Sequence, residues 1–221
     1  MSDRFVLAFD TSFGPVSAAL ATYQGQVIAS ACADNAVGKQ AETLPPLVGR
    51  LFADAGVAFS SVARIVVTVG PGAFTGVRVG LAFAKGLHLS IGAEILGVST
   101  LECLALQAQE SAPGLGVAAI LDAKRDEVYA LALNGAGDVL LSAALLSVEQ
   151  AQAAIAGVFQ GSFLLTGSGG PLASVAFPAS MYVEMSAIDI NRLASRGGAL
   201  CADSYMPMPT YLRAPDARLP A

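Results

Sequence analysis

The sequence predicts an α/β protein of two related lobes, each with a mixed sheet flanked by helices. Near the N-terminus, three consecutive strands are followed by alternating strands and helices, the order of a layered α/β unit. A second unit repeats that order, and each unit opens with a strand that ends in aspartate, at Asp10 and at Asp122. The expected division of the chain is a first lobe at 1–110, a second lobe at 111–206 and an extended tail at 207–221.

The first lobe is predicted to begin with an antiparallel meander of three strands. Residues 4–10 (RFVLAFD) form an apolar run that ends in an acidic residue. Two further strands, at 16–23 and 26–33, are separated by a Gln24-Gly25 turn. Residues 39–54 place leucine and valine at helical spacing, with two prolines near the first turn, where proline is tolerated.

The rest of the first lobe alternates strands with helices. Residues 64–69 (RIVVTV) are a β-branched run, which is typical of a strand covered on both faces. A glycine-rich loop follows and leads into an apolar helix at 74–89. A short strand at 94–98 and a helix at 100–110 complete the lobe.

The second lobe follows the same plan, and its elements are predicted from the same patterns. Strands are expected at 116–122, 127–133, 139–145, 162–166 and 182–184, and helices at 147–156 and 188–202. The tail contains four prolines and should lie extended against a lobe.

Composition excludes several classes of protein. The chain has 221 residues, of which 54% are hydrophobic and 13% charged, and this balance excludes disorder. Its charge-free stretches are broken by glycine, proline and polar residues, so we predict no transmembrane helix and a cytoplasmic location. Twelve basic residues against 17 acidic ones leave a net charge of −5, without the basic excess that attracts nucleic acid. Three widely spaced cysteines predict no disulfide framework, and we expect them to be buried.

Two loops are candidates for a phosphate or nucleotide site, made of Asp10, Thr11, Ser12, Gly72 and Thr75. Glycines between a strand and a helix allow close backbone approach, and helix N-termini bind anions. The alternative is purely structural, because a tight glycine turn needs no ligand and an Asp-Thr-Ser turn often satisfies its own backbone. Neither loop matches a Walker or dinucleotide-binding motif.

The sequence predicts no catalytic residue and no metal site. The only histidine, His88, lies within the apolar helix, where a packed histidine is more common than a base. No serine–histidine–aspartate arrangement or histidine metal pair can be assembled around it. The charged run at 122–127 fits a solvated hairpin turn.

Four segments together resemble one known family. They are LAFDTSFGPVSAAL at 7–20, VGPGAFTGVRVGLAFAKGL at 69–87, GVSTLECLA at 97–105 and LDAKRDEVYA at 121–130. They are similar to the TsaB (YeaZ) family, the non-catalytic subunit of the bacterial complex that synthesises threonylcarbamoyladenosine in tRNA. The likeness covers both lobes and extends to PTYLRAP at 209–215.

The resemblance implies an actin-like ATPase (ASKHA) fold and a chain that is not an enzyme by itself. The related catalytic subunit, TsaD, carries an HxxxH metal motif, and Thr100 and Leu104 stand where its histidines would be. Pairing with TsaD, cooperation with the ATPase TsaE and a homodimer when alone are implied. ATP and magnesium would then act at the level of the complex, and tRNA would contact this chain only indirectly. The alternative is a nucleotide-binding protein or enzyme of the actin-like class that acts alone through the two loops.

The helix at 74–89 is apolar nearly all round, which predicts a second partner besides its own sheet. That partner could be another part of the chain or another subunit, and the resemblance favours the first-lobe helices of TsaD or of a second copy. We therefore expect an interface at Leu47, Leu51, Gly76, Val77, Gly80, Leu81 and Ala84. Leu81→Glu or Gly80→Arg should then break association and leave the fold intact.

Overall fold

Two five-stranded sheets form the framework of the protein. The structure is a computed structural model and describes residues 4–34, 38–174 and 176–213. The first sheet contains β1 (Phe5–Asp10), β2 (Val16–Thr22), β3 (Val27–Ala33), β4 (Val62–Thr68) and β5 (Glu94–Val98). Their spatial order is β3-β2-β1-β4-β5. The meander strands pair antiparallel, whereas β4 runs parallel to both β1 and β5.

The second sheet has the same topology as the first. It contains β6 (Val117–Lys124), β7 (Glu127–Leu133), β8 (Val139–Ser147), β9 (Leu164–Thr166) and β10 (Met181–Val183), in the order β8-β7-β6-β9-β10. Here too the first three strands form an antiparallel meander and the last two are parallel to the strand that opens the sheet. The duplicated plan of the sequence is therefore a duplicated sheet.

Within the described residues, six helices flank the two sheets. They are α1 (Gln40–Ala55), α2 (Phe74–Ile91), α3 (Thr100–Gln109), α4 (Val148–Val158), α5 (Gly170–Ser174) and α6 (Ile190–Gly197), and 3₁₀ turns lie at Phe59–Ser61 and Ala202–Ser204. Helix α4 begins with a capping box, in which Ser147 and Gln150 satisfy each other's backbone amides. None of the helices in the described residues has the length and hydropathy needed to cross a bilayer.

Alternating residues of β1 pack on opposite faces of the first sheet. Leu7 and Phe9 lie in a core with the inner faces of α1 and α2. Val6 and Ala8 lie in a second core that includes α3, α6 and strands of the other sheet. Helices α3 and α6 are therefore the two inner helices, which fill the space between the sheets. One apolar core joins the lobes.

The two inner helices contact sheets that their positions in the sequence do not predict. Helix α3 follows β5 but packs against β6, β7 and β9 of the second sheet. Helix α6 falls in the predicted second lobe but packs against β1 and β2 of the first. The sequence range 111–206 thus contributes a helix to the first sheet.

The last helix is shorter than the predicted span of 188–202, because a buried arginine binds the backbone where the helix ends. Nη1 of Arg64 donates to the carbonyl oxygens of Gly197, Gly198 and Leu200 at 2.8, 3.1 and 2.9 Å. Arg64 is 7% exposed, and its Nε donates to Glu94 at 2.8 Å. These bonds satisfy carbonyl groups that a helix end leaves free.

The tail runs along the first lobe and reaches the second sheet at Arg213, which pairs with Glu127. Residues 205–213 contain neither helix nor strand. The carbonyl of Tyr205 accepts from the amide of Gly97 at 3.0 Å, and the amide of Thr210 donates to Val69 at 2.8 Å. The rest of the predicted tail, 214–221, lies outside the described residues.

The three cysteines are free, and the expectation that all are buried is wrong. Cys32 and Cys201 are exposed, and Cys103 is partly buried.

Candidate functional site

The two loops predicted as a phosphate site lie in direct contact at one edge of the first sheet. Because β1 and β4 are parallel neighbours, their carboxyl ends meet at that edge. The amide of Ala73 donates to the carbonyl of Ser12 at 2.8 Å. A Cβ atom at Gly72 would lie 2.5 Å from the same oxygen, and one at Gly76 would overlap the carbonyl oxygen of Thr11. Glycine is needed here for close packing of the loops.

The carboxylate of Asp10 is fully buried and accepts four hydrogen bonds. Its Oδ1 accepts from the amide and the hydroxyl of Ser12 at 2.8 and 2.7 Å, and from the hydroxyl of Thr68 in a short bond. Its Oδ2 accepts from the amide of Phe13 at 3.2 Å. Three donors converge on Oδ1 and one reaches Oδ2, so both oxygens are engaged by the protein.

The hydroxyl of Thr100 extends the network, and the direction of its hydrogen bond to Ser12 can be assigned. Oγ of Ser12 lies 3.1 Å from Oγ1 of Thr100. Because the Ser12 hydroxyl has one hydrogen and donates it to Asp10, it accepts from Thr100. The network therefore runs from Thr100 through Ser12 to Asp10.

Burial raises the pKa of Asp10 above its ordinary value of 3.8. The hydrogen bonds from Thr68, Ser12 and Phe13 act in the opposite direction, because they stabilise the charged form. The direction of the shift shows that burial outweighs the donors.

The five predicted phosphate-site residues divide into a buried set and an exposed pair. Asp10, Thr11 and Ser12 are at most 4% exposed, whereas Gly72 and Thr75 lie at the surface. The Thr11 hydroxyl donates to the carbonyl of Gly76 at 2.7 Å. A phosphate cradle needs open space and free donors, and here the loops fill each other's space and the buried polar groups bond to one another. The residues present do not fit a bound nucleotide phosphate between the two loops.

Two residues of this network were not among the predicted site residues. Thr68 ends β4 and Thr100 starts α3, directly after β5, and both are fully buried. The sequence does contain a signal for them: each lies at or just after the carboxyl end of a parallel strand, and such ends meet at one edge of the sheet. Leu104, at the second position where TsaD would carry histidine, is fully buried among apolar side chains. Within the described residues, no cluster of three or more His, Cys, Asp or Glu side chains could hold a metal.

The histidine has a structural partner. Nδ1 of His88 lies 2.8 Å from the carbonyl oxygen of Ala93, just beyond the end of α2. A carbonyl only accepts, so this nitrogen carries the proton.

The structure corrects the predicted partner interface. All seven of its residues are buried within the chain: Leu47, Leu51, Gly76, Val77, Gly80, Leu81 and Ala84. The glycine ridge faces inward, since a Cβ at Gly80 would lie 2.7 Å from the Thr11 hydroxyl and 3.2 Å from Val67. Leu81→Glu and Gly80→Arg would therefore disrupt the core and would not test association.

The outward face of the same two helices carries small residues beside charged ones, among them Arg50 and Lys85. It is defined here as the α1/α2 face, and its exposed members include Pro45, Pro46, Gly49, Ala53, Ala82 and Gly86. A Cβ added at Gly49 or Gly86 would meet nothing within 4 Å. Leu89, at the end of α2, is 85% exposed. These residues are exposed in the single chain.

A family model and the curated relatives both connect this chain to proteins named for threonylcarbamoyladenosine synthesis in tRNA. A family model described as "TsaD: tRNA N6-adenosine threonylcarbamoyltransferase" matches residues 34–158. The chain is 32% identical over 131 residues to the "tRNA threonylcarbamoyladenosine biosynthesis protein TsaB" of Haemophilus influenzae, which is 58% of this chain and 53% of that protein. The chain spans about half the length of the curated relatives that it matches.

Solved structures agree on the fold. "YeaZ from Pseudomonas aeruginosa" superposes with a TM-score of 0.78 at 29% identity, over 95% of this chain and all of that one. The ROK hexokinase from Thermus thermophilus has a TM-score of 0.52 at 13% identity, over 86% of this chain and 96% of that one, a likeness of fold alone. The predicted actin-like ATPase (ASKHA) fold is confirmed.

Proposed function

Because this chain belongs to the TsaB (YeaZ) family, we propose that it is a non-catalytic subunit for threonylcarbamoyladenosine synthesis in tRNA and pairs with TsaD. The curated relatives carry the name of this biosynthesis. TsaD would perform the transfer of the threonylcarbamoyl group to the adenosine next to the anticodon. The chain would hold TsaD in an active arrangement.

The observation that carries this proposal is that the TsaD family model matches the part of the chain that contains α1 and α2. Both helices lie within residues 34–158. TsaD therefore has a counterpart of the same helix pair. Two related copies of one surface can associate about a pseudo-twofold axis, in the way that identical subunits form an isologous dimer. The same geometry would allow a homodimer of this chain when TsaD is absent.

The α1/α2 face suits helix–helix packing. Gly49 and Gly86 leave space at the surface that a partner side chain can enter, and Pro45, Ala53 and Ala82 add little bulk around them. Small residues let helix axes approach closely, so that a partner's side chains pack into the grooves between the two helices. The exposed side chain of Leu89 would be covered by such a partner.

The chemistry of the Asp10 network supports a subunit without its own catalysis. Asp10 and Ser12 are engaged in buried hydrogen bonds, so neither is free to act on a substrate. Thr100 and Leu104 occupy the positions where the resemblance places the metal-binding histidines of TsaD, and neither side chain is a usual metal ligand.

We expect Ala82→Arg to abolish association with TsaD and to leave the fold unchanged. Ala82 is exposed in the middle of the α1/α2 face, where an arginine would project into the partner. The measurement is light scattering after gel filtration, on the chain alone and mixed with TsaD. The wild-type chain should form a homodimer of twice 22.3 kDa and exchange into a one-to-one complex. tRNA modification by TsaD should fall with the loss of the complex.

Ala156→Arg is the matched control, because Ala156 is an exposed residue of α4, remote from the α1/α2 face in the fold. It makes the same change of size and charge and should leave the complex intact. A wild-type chain that remains monomeric and indifferent to TsaD would contradict the proposed function. Equal loss of binding in the two arginine variants would contradict the location of the interface.

We also propose that ATP, magnesium and the ATPase TsaE act at the level of the complex, and that TsaD provides most of the tRNA contact. The net charge of −5 disfavours independent tRNA binding. Calorimetric titration of the isolated chain with ATP and magnesium should give no binding heat. Tight binding would favour the alternative of an independent nucleotide-binding protein.

A further inference from the structure

Three residues form an exposed cluster at the amino end of α2, where the tail passes that helix: Phe74, Arg78 and Tyr211. The centroids of the two aromatic rings lie 5.8 Å apart. Phe74 is 56% exposed and Tyr211 is 53% exposed. Large apolar side chains that lie together at the surface mark a region that a partner covers. We call these three residues the Arg78 cluster.

Three contacts hold the guanidinium group of Arg78 within the cluster. Its Cζ lies 3.7 Å from the centroid of the Phe74 ring and 5.9 Å from that of the Tyr211 ring. Its Nε donates to the hydroxyl of Tyr211 at 3.1 Å. Because the side chain is already ordered, a partner that binds it loses less rotamer entropy than it would with a free arginine.

The two terminal nitrogens of Arg78 are available to a partner. Among the described residues, they donate no hydrogen bond to the protein and form no ion pair with a carboxylate. Arg78 is exposed. The terminal nitrogens of a guanidinium match the two oxygens of a carboxylate in spacing and charge.

The Arg78 cluster is continuous with the α1/α2 face. Phe74, Arg78 and Ala82 follow one another at intervals of four residues, so they lie on one face of α2. All three are exposed. Successive members are about 6 Å apart along the helix axis. A partner that covers Ala82 would therefore also reach Arg78, about one turn away.

A partner that covers Arg78 has to supply a negative charge. Burial of a cation without a counter-ion is costly, whereas a cation that is paired and hydrogen-bonded is tolerated. Removal of water also strengthens the attraction between a guanidinium group and an aromatic ring. Tyrosine and arginine are common among the few residues that dominate the binding energy of an interface.

We propose that the Arg78 cluster is an anchor of the α1/α2 face and binds an aspartate or glutamate side chain of TsaD. This inference rests on the proposed function, since TsaD is the partner proposed for that face. Arg78 would pair with the carboxylate, and Phe74 would contact apolar surface beside it. Tyr211 is a positioning residue: it belongs to the tail and holds the guanidinium group of a distant helix.

A nucleobase is the competing ligand, because bases also stack on aromatic rings and arginine. The charges around the cluster favour a protein. Helices α1 and α2 expose cations at Arg50, Arg78 and Lys85, and carboxylates at Glu42 and Asp54. A phosphate backbone is bound by a surplus of cations, whereas charges of both signs suit a partner with charges of both signs.

The test is calorimetric titration of TsaD with the full chain. Arg78→Gln should weaken the complex by about thirtyfold or more, because it removes one partner of a buried, hydrogen-bonded ion pair. Arg4→Gln is the matched control. Arg4 is also exposed, and its Cζ lies over an aromatic ring, 5.0 Å from the centroid of Tyr23. Tyr23 packs with the core on the opposite face of the first sheet, so Arg4→Gln should leave the affinity unchanged.

The dependence on salt separates a lost ion pair from a lost shape. The affinity of the wild-type chain should fall as the sodium chloride concentration rises, and that of Arg78→Gln should fall less steeply. Arg78→Lys keeps the charge without the planar fork, so it should restore the salt dependence and only part of the affinity. Tyr211→Phe keeps the ring and removes the hydroxyl that accepts from Nε. It should weaken the complex less than Arg78→Gln does and keep the wild-type salt dependence.

An Arg78→Gln chain that binds TsaD as tightly as the wild-type chain would overturn this inference. If Ala82→Arg abolishes the complex in the same assay, the proposed function still holds. A wild-type chain that does not bind TsaD would overturn both. Loss of tRNA binding by Arg78→Gln, with unchanged affinity for TsaD, would assign the cluster to nucleic acid and would also overturn the inference. Circular dichroism reports whether each variant keeps the fold.

Discussion

Gly76→Ala is expected to lower the free energy of unfolding by about 3 kcal/mol, at the upper end of the usual cost of overpacking. The added methyl group would overlap the carbonyl oxygen of Thr11, which belongs to the backbone and cannot rotate away. The loop after β1 and the first turn of α2 would have to separate. Thr11 would also lose its hydrogen bond to the carbonyl of Gly76. Urea unfolding followed by circular dichroism measures the change.

Gly86→Ala is the matched control within the same helix. A Cβ at Gly86 meets nothing within 4 Å, so the substitution carries no steric cost in the single chain. Alanine is a better helix former than glycine, and the stability should rise by about 0.5–1 kcal/mol. Both variants must be compared with the wild-type chain at one protein concentration, because association contributes to apparent stability. Equal effects of the two substitutions would contradict the tight contact at Gly76.

Asp10→Ala is expected to lower the free energy of unfolding by about 3 kcal/mol or more, because it leaves several buried donors without an acceptor. The donors are the amide and hydroxyl of Ser12, the hydroxyl of Thr68 and the amide of Phe13. Asp10→Asn keeps the shape and one acceptor oxygen, so it should cost less than Asp10→Ala. A mild effect of Asp10→Ala in urea unfolding would contradict the buried network.

The same carboxylate predicts a pH dependence of stability with a definite sign. Its pKa in the folded chain is raised above 3.8, chiefly by burial. Between 3.8 and that raised value, the folded state holds a proton that the unfolded state has released. The contribution of Asp10 to stability therefore falls as the pH rises through this window and is constant above it.

Asp10→Asn isolates this contribution, because asparagine does not titrate. The stability of Asp10→Asn minus that of the wild-type chain should increase with pH from about 3.8 and then level off. Urea unfolding of both chains at a series of pH values gives the difference. A difference that decreases with pH would mean that the hydrogen bonds outweigh burial and that the pKa is lowered.

Local sequence patterns were sufficient to predict the strands and their succession along the chain. The predicted bounds of 94–98 and 127–133 agree with β5 and β7. The duplicated plan, inferred from two strands that end in aspartate, corresponds to two sheets of identical topology. Such patterns succeed because strand formation depends on apolar alternation and turn residues that are close in the sequence.

The end of α6 could not be predicted in this way. Its apolar spacing continues past Gly197, but Arg64, more than 100 positions earlier in the chain, binds the carbonyls at that point. Gly197 also packs closely on Val6 and Val66 of the first sheet. Contacts between distant segments override local propensity.

By itself, the sequence determined the family, the duplicated α/β plan and the succession of strands and helices, since these depend on motifs and on local periodicity. Only the tertiary structure decided which surface of α2 faces inward. Glycine and alanine at four-residue spacing are compatible with close contact to another helix and equally with close contact to the loop that contains Thr11. In the structure, Gly76 and Gly80 lie against Thr11. Likewise, Thr68 binds Asp10 from a position 58 residues away in the chain, and Thr100 binds Ser12 from a position 88 residues away. Burial and hydrogen bonding across such separations are properties of the folded core, and they make this loop pair a structural element of the lobe.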